Sequence, residues 1–377
     1  MVYTKDSKRK KVMFVLPHLR TGGGQKLVID IIGNLDSERL DVLLVSLYPA
    51  EGNIFEDLAE EKGIQIKYLQ KKEGINLSVI KELISLIKNV RPDVIHAHLR
   101  VMPYLLFPLI VTDVKKRYYT VHNLAEKDAG NRRYMKMILN FAFRYAKVVP
   151  IAISDLCKQS IVSFYNLPKE QVPCIYNGID ANRFKCIIPY TQRKSETLTF
   201  IATGRMEPQK NYKLMLEAFS EVYKTYSNIR LVILGDGYLR KELEEDIKRL
   251  NISNSVLLKG RVSNVEKELN NAHVYLMSSN WEGLPLSVME AMSCGLPIIS
   301  TKAGGVIDII KHNKNGCLIN IGDKEKLIEA MLKMVTEPDL RNQFSISALE
   351  SSKMFDIKEC ANKHMELYLT EEKLAIK

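Results

Sequence analysis

Short apolar runs rich in valine and isoleucine alternate along this chain with longer stretches whose apolar positions recur at helical spacing. In the first half the short runs fall at 12–16, 42–47, 64–69, 94–98, 118–122 and 148–153. Continuous apolar runs of this length are what strands buried on both faces require, and their regular separation by amphipathic helices predicts parallel βαβ units. The stretch 186–196 loses the rhythm and mixes Pro189 with polar residues, after which it restarts at 198–202, 231–234, 256–258, 274–277 and 297–300. The pattern predicts an α/β protein of two doubly wound, Rossmann-like domains joined near residue 190, with no sequence repeat between them. The expected boundaries are 1–187, 196–355 and a terminal helical stretch at 356–377.

A chain of 377 residues, 46% hydrophobic and 26% charged, is long enough for two such cores. The apolar run 101–111 contains Pro103 and Pro108 and falls short of the roughly 20 residues a membrane span needs, so no transmembrane helix is expected. Six cysteines show no CxxC pairing and nothing ahead of them has the form of a secretory signal, which suggests a reducing, cytoplasmic home. The net charge is +11, with 29 basic and 19 acidic residues before position 191 and near balance after it. A basic first half, including Lys5, Lys8, Arg9, Lys10 and Lys11, suits a lipid head-group surface, a phosphorylated acceptor or a nucleic acid, or is simply a solvated face. No nucleic-acid module pattern accompanies it and aromatic residues do not interleave with the basic ones, which sets the nucleic acid aside.

Ligands of open parallel sheets sit beyond the carboxyl ends of the strands, so the loops there are where chemistry is sought. Gly22, Gly23 and Gly24 lie between the first strand and a helical stretch, where bare amides and a helix amino end can approach a phosphate, although a structural turn explains them equally well. Gly204-Arg205 follows a strand and Lys210 comes five residues later, ahead of a helix. A guanidinium and an ammonium there would hold a diphosphate at about 1.5–3 kcal/mol per bond and stabilise it as a leaving group, or form an exposed salt bridge. The segment 279–297, SNWEGLPLSVMEAMSCGLP, runs from a strand end through a turn into a helix, with Glu282 in the loop and Glu290 expected a little over two turns into the helix. Both carboxylates could accept bonds from sugar or ribose hydroxyls; capping and solvation are the plainer roles.

His96 and His98 close one expected strand and His122 another, which would face all three to a cleft between the domains. His96 and His98 lack a third ligand of matching logic for a metal, and no Asp-x-Asp pair occurs to chelate a nucleotide-bound cation, so neither metal nor cofactor is expected and leaving-group charge falls to protein cations. In 131–147 the residues Met135, Ile138, Leu139, Ala142 and Tyr145 share one helical face with Arg132, Arg133, Lys136, Arg144 and Lys147 around it, as in core packing or on an anionic membrane.

The segment EGLPLSVMEAM, with Glu282 and Glu290 as a Glu-x7-Glu pair, resembles the group 1 glycosyltransferases, glycosyltransferase family 4. Gly22-Gly23, His122, Asn177-Gly178-Ile179-Asp180, Gly204-Arg205, Lys210-Asn211, Leu234-Gly235-Asp236-Gly237 and Cys294-Gly295-Leu296-Pro297 agree in order. Gln25 and Asp308 depart from the pattern, standing where the family often has glutamate.

The resemblance implies a GT-B fold, two Rossmann-like domains facing across a cleft, with a nucleotide-sugar donor held by the second and a glycan or lipid-linked acceptor chosen by the first. It implies that Arg205 and Lys210 bind the diphosphate with amide support from Gly23, that Glu290 binds the ribose, and that Glu282 binds the transferred sugar near Gly283 and Leu284. Arg261 and Val262 would flank the base, His122 would contact donor sugar or acceptor, and the final stretch 356–370 would be the family's terminal helix, crossing back onto the first domain. Retention of anomeric configuration without an enzymic base, UDP-sugars as donors and a role in surface polysaccharide synthesis, cytoplasmic or peripheral on the membrane, complete that expectation. A GT-B-shaped epimerase or phosphorylase and an inactive partner subunit are the alternatives.

Overall fold

The computed structural model describes residues 9–370 apart from 21, 75, 131 and 194. Lys5 and Lys8, the first residue of the 131–147 stretch, and the ends 1–8 and 371–377 of the expected domains lie outside the described residues. The chain forms two compact units, one made of the described residues up to Gly178 together with those from Ile357 onward, the other of Ile179–Asp356.

The first unit is built on six parallel strands, β1 (Lys10–Leu16), β2 (Leu40–Ser46), β3 (Gln65–Tyr68), β4 (Val94–His98), β5 (Lys116–Val121) and β6 (Val148–Ala152), in the order β3-β2-β1-β4-β5-β6. The second carries β7 (Leu198–Thr203), β8 (Ile229–Leu234), β9 (Val256–Gly260), β10 (Val274–Met277), β11 (Ile298–Thr301) and β12 (Gly316–Ile319), also parallel, in the order β12-β11-β10-β7-β8-β9. Counted within its own sheet, the second follows the same doubly wound order as the first. The strand order turns back between β1 and β4 in one unit and between β7 and β10 in the other, and ligands of such sheets bind at that point.

Eleven of these strands coincide with runs legible in the sequence; β12 does not. Its four residues, GCLI, carry only a short apolar stretch after a polar turn, and pairing with β11 makes them a strand. The stretch read as a linker is fastened to the second unit: the amide of Ile187 donates to Asn270 Oδ1 at 2.8 Å, Tyr190 OH to the His273 carbonyl at 3.0 Å, and Arg193 Nη1 to the Ala272 carbonyl at 3.0 Å.

The last helix, Ile357–Leu369, belongs to the first unit and covers a face of its sheet. The Gly178 backbone runs so close beneath it that a Cβ there would lie 2.6 Å from the Ile357 Cα. Tyr368 OH meets His96 Nδ1 at 2.5 Å, while Lys10 Nζ donates to the Leu369 carbonyl at 3.1 Å and Tyr118 OH to the Leu367 carbonyl at 2.9 Å. Beneath the helix His96 and His98 are fully buried, with ring centroids 4.0 Å apart, and His364 Nδ1 is 2.8 Å from the Cys360 carbonyl oxygen. The expectation that His96 and His98 face an open cleft is therefore corrected. Both point to the sheet face that the terminal helix closes.

Burial, followed by neighbouring imidazoles, holds His96 and His98 well below the ordinary histidine range and lowers His122 to about 4; burial lowers His364 to about 4 as well. A histidine that titrates lower in the folded than in the unfolded chain contributes stability that is present above about pH 6.5 and lost as the pH falls toward 4. Asp128, which burial raises to about 6, acts in the opposite sense, one group against four. Calorimetric melting of the first unit is therefore expected at a lower temperature at about pH 5 than at about pH 7.5. An equal or higher midpoint in acid would contradict a core of neutral histidines.

Candidate functional site

In the second unit the turn after β7 and the turn after β10 meet where the strand order reverses. Gly204 follows β7 with φ of 149°, and a Cβ there would stand 2.5 Å from Lys210 Cε, so this position admits only glycine while the lysine lies folded against it. Asn211, with φ of 46°, caps the helix Tyr212–Thr225 through a 3.4 Å bond from the Leu214 amide to its side chain. That cap sets the direction of Lys210.

Lys210 Nζ lies 2.7 Å from Glu282 Oε1, which also accepts from Ser279 Oγ at 2.7 Å, while Glu282 Oε2 accepts from Gln209 Nε2 at 3.1 Å. The pair is largely removed from solvent, with side-chain exposures of 15% and 8%. Burial alone would lower the Lys210 pKa; the Glu282 charge, Tyr275 and the bond to Glu282 outweigh it, and the ammonium titrates above its ordinary value. Lys210 is therefore a fixed cation. The loop carrying Glu282 is clamped from behind by Gly304, with φ of 59°, whose Cβ would fall 1.8 Å from the Glu282 carbonyl oxygen, and by the Gly305 amide, which donates to the Gly283 carbonyl at 2.7 Å.

Arg205, by contrast, is exposed and pairs with Glu207 at 3.0 Å. It is near enough to Lys210 to oppose its protonation. Leu284 is buried beside Gly283, and Glu290 is buried on the helix Leu286–Ser293, close enough to Tyr275 to raise that phenol's pKa, which burial raises most. Glu290 is the fifth residue of this helix, a little over one turn in rather than two, because the Gly283–Pro285 turn holds the chain non-helical until Leu286. Arg261 and Val262 lie in the loop after β9, Arg261 exposed and Val262 half-buried.

In the first unit Gly22 is the extended cap of the helix Gly23–Ile32, and Gly23 is its exposed first residue. A Cβ on the next residue, Gly24, would lie 3.1 Å from Leu99 and 3.6 Å from His122 Nδ1. The glycine cluster and His122 are thus neighbours. Leu99, with φ of 59°, sits in the left-handed region that a leucine rarely adopts, a strain found where backbone position matters more than local comfort. Behind His122, its Nε2 is 3.0 Å from His98 Nδ1, its amide donates to Asp128 Oδ1 at 3.3 Å, and Tyr119 OH donates to Asp128 Oδ2 at 2.8 Å. Burial pushes Asp128 up to about 6, against these two bonds.

The structure thus joins Lys210 to Glu282, which the sequence placed as separate ligands of phosphate and sugar, and adds Gln209 and Ser279 to them. It joins Gly24 to His122 and supplies Asp128 and His98 behind that ring. Nothing in the spacing marked Gln209 or Ser279, since polar residues beside a motif are common; Tyr119 and Asp128 lie nine apart across a strand-to-helix connection and carry no pattern.

Residues 187–350 match the family described as glycosyl transferases group 1, and residues 21–183 match the family described as Glycosyltransferase Family 4, so that the two cover most of the chain. An uncharacterized glycosyltransferase of Methanocaldococcus jannaschii is 27% identical over 74% of this chain and 79% of its own length. The UDP-Gal:alpha-D-GlcNAc-diphosphoundecaprenol alpha-1,3-galactosyltransferase of Escherichia coli is 25% identical over 78% of this chain and 81% of its own. Among solved structures, the Anabaena protein HepE in complex with UDP superposes with a TM-score of 0.80 at 20% identity, covering 95% of this chain and 98% of that one. With two parallel, doubly wound sheets of one strand order and these matches along both halves, the chain has the GT-B fold and belongs to the group 1 glycosyltransferases of family 4.

Proposed function

We propose that this glycosyltransferase moves a sugar from a UDP-sugar to a lipid-linked or glycan acceptor, with retention of anomeric configuration and without a metal ion, in the assembly of a surface polysaccharide. The observation that carries this reading is the buried Lys210–Glu282 pair, with Ser279 and Gln209, at the point where the second sheet reverses its strand order. A lysine held charged there, with Arg205 free to swing from Glu207, offers two cations to a diphosphate as its bond to the anomeric carbon lengthens. Within the second unit Glu290 takes the ribose, Arg261 and Val262 flank the base, and Glu282 meets the sugar with the Gly283 and Leu284 backbone. Acceptor oxygen attacks on the face the phosphate leaves, and the departing phosphate takes the proton. The undecaprenyl-linked acceptor in the name of the Escherichia coli relative and the UDP in the Anabaena structure support the acceptor and the base.

The first unit supports the lipid side of this reading. On the helix Arg133–Arg144 the buried face is Met135, Leu139, Ala142 and Phe143, whereas Tyr134, Met137, Phe141 and Tyr145 form an exposed stripe, Met137 and Tyr145 each 71% exposed. Tyr145 thus leaves the face it was expected to share with Met135: it stands outside the helix as its C-cap, turned to solvent. The helix Met102–Val111 packs alongside and adds exposed Phe107, Ile110 and Val111. Arg132, Arg133, Lys136, Arg144 and Lys147 border the stripe, the composition of a surface that rests on anionic lipid. No helix among the described residues is long and apolar enough to cross a membrane.

Calorimetry with UDP, GDP and ADP in EDTA is expected to show UDP binding that Arg205→Ala weakens about tenfold, the worth of one charge-assisted bond. No binding of any diphosphate would overturn the donor site. Lys210→Ala is expected to lower turnover on the order of a hundredfold and also the melting temperature, because it strands a buried carboxylate. The double variant Lys210→Ala/Glu282→Gln should regain stability without regaining turnover; recovery of both would remove Lys210 from the chemistry. Sedimentation with phosphatidylglycerol vesicles is expected at low salt and to fall with salt and with Met137→Glu/Phe141→Glu. Wild-type protein left in the supernatant at low salt would exclude lipid docking.

A further inference from the structure

Among the described residues, the polar side chain that His122 meets across its Nε2 edge is His98, at 3.0 Å from Nε2 to Nδ1. His98 is itself clamped: fully buried, stacked on Phe14 at 5.7 Å and 10°, and 4.0 Å from the His96 ring. Its other nitrogen, Nε2, is buried and has no hydrogen-bond partner among the described residues. Burial keeps both rings neutral, so each carries a single proton and the shared bond has one donor.

Two arrangements satisfy that bond. If His122 Nε2–H donates, the His98 proton sits on Nε2, a buried N–H with no acceptor, which folded proteins rarely tolerate. If His98 Nδ1–H donates, His98 Nε2 keeps only a bare lone pair, and His122 carries its own proton on Nδ1. The second arrangement buries no orphan donor. Nδ1 is on the edge of the His122 ring that lies over Gly24, 3.6 Å from where a Cβ would stand.

We propose that His98 is a positioning residue that fixes the His122 tautomer, so that the edge over Gly24 presents an N–H donor to a substrate oxygen. With no lone pair on that edge, His122 cannot take a proton from the acceptor there, and its part in transfer is to hold an oxygen. This inference rests on the sugar-transfer reading for its ligand, but the tautomer does not.

The decisive measurement is a long-range proton–nitrogen correlation spectrum of wild-type protein labelled with 15N-histidine, with the His122 signals identified by their loss in His122→Asn. No sugar is needed, so the result stands whether or not UDP-sugars prove to be donors. A protonated Nδ1 and a bare Nε2 on His122 are expected; a protonated Nε2 overturns the proposal. Transfer assays then separate positioning from packing. His98→Leu, which removes the donor, is expected to lower kcat/KM about tenfold, the worth of one hydrogen bond, and to release His122 to a mixture of tautomers. His98→Asn keeps an N–H at the Nδ1 position and is expected to stay within about twofold of wild type. Equal losses in both variants, or wild-type rates in His98→Leu, would overturn the role of His98. Should either variant fail to fold, the wild-type spectrum still decides.

Discussion

A parallel sheet whose strand order reverses must leave its crossing chains diverging at one place, and the glycine cluster of the first unit and the Lys210–Glu282 pair of the second each stand at such a place. Between β1 and β4 lie Gly22–Gly24 and the turn through Leu99; between β7 and β10 lie the Gly204–Lys210 turn and Ser279–Glu282. Helices on both faces cover the rest of each sheet, so the carboxyl ends of these strands are where side chains can serve something other than the core. The constraint is topological and owes nothing to side-chain identity, which is why it appears in both units although their sequences share no repeat.

Within that constraint the second unit fixes charge where the first fixes proton position. Lys210 keeps its charge against burial because Glu282 is 2.7 Å away, and Glu282 keeps its place because glycines behind its loop allow a carbonyl and an amide to come closer than any side chain would permit. His122 stays neutral and is oriented by another buried imidazole. A fixed cation suits a leaving phosphate, and a neutral N–H suits a sugar hydroxyl. The division follows from what each unit buries beside its reversal point.

Most of the eleven strands were legible because buried parallel strands are written as apolar runs, while the half-exposed edge strands β3 and β9 kept enough apolar residues to continue the rhythm. β12 was not, since its GCLI follows a polar turn with no apolar run of its own beyond Cys317–Ile319, and pairing with β11 makes it a strand. The site was legible as far as its residues were unusual: a Glu-x7-Glu pair in a Gly-Leu-Pro turn, and a strand followed by Gly-Arg and a lysine. Pairing across the sheet was not. Lys210 and Glu282 are 72 positions apart, and His96 and Tyr368 are 272 apart. Likewise the exposed stripe of the helix Arg133–Arg144 escaped the pattern, because a helix with two apolar stripes looks in sequence like one with a broad core face.

Among the described residues, the first unit is made from two stretches that flank the second unit in sequence, so its synthesis is interrupted. A ribosome delivers β1–β6 early, but the sheet face holding His96 and His98 stays without its cover until the helix Ile357–Leu369 emerges, after the whole second unit. Until then His96 lacks the Tyr368 hydroxyl, and Lys10 and Tyr118 lack their carbonyl acceptors. The unit encoded first is therefore the one completed last. A nonsense mutation near codon 357 would release a finished second unit tethered to a first unit with an open polar core, a species suited to chaperone capture and degradation.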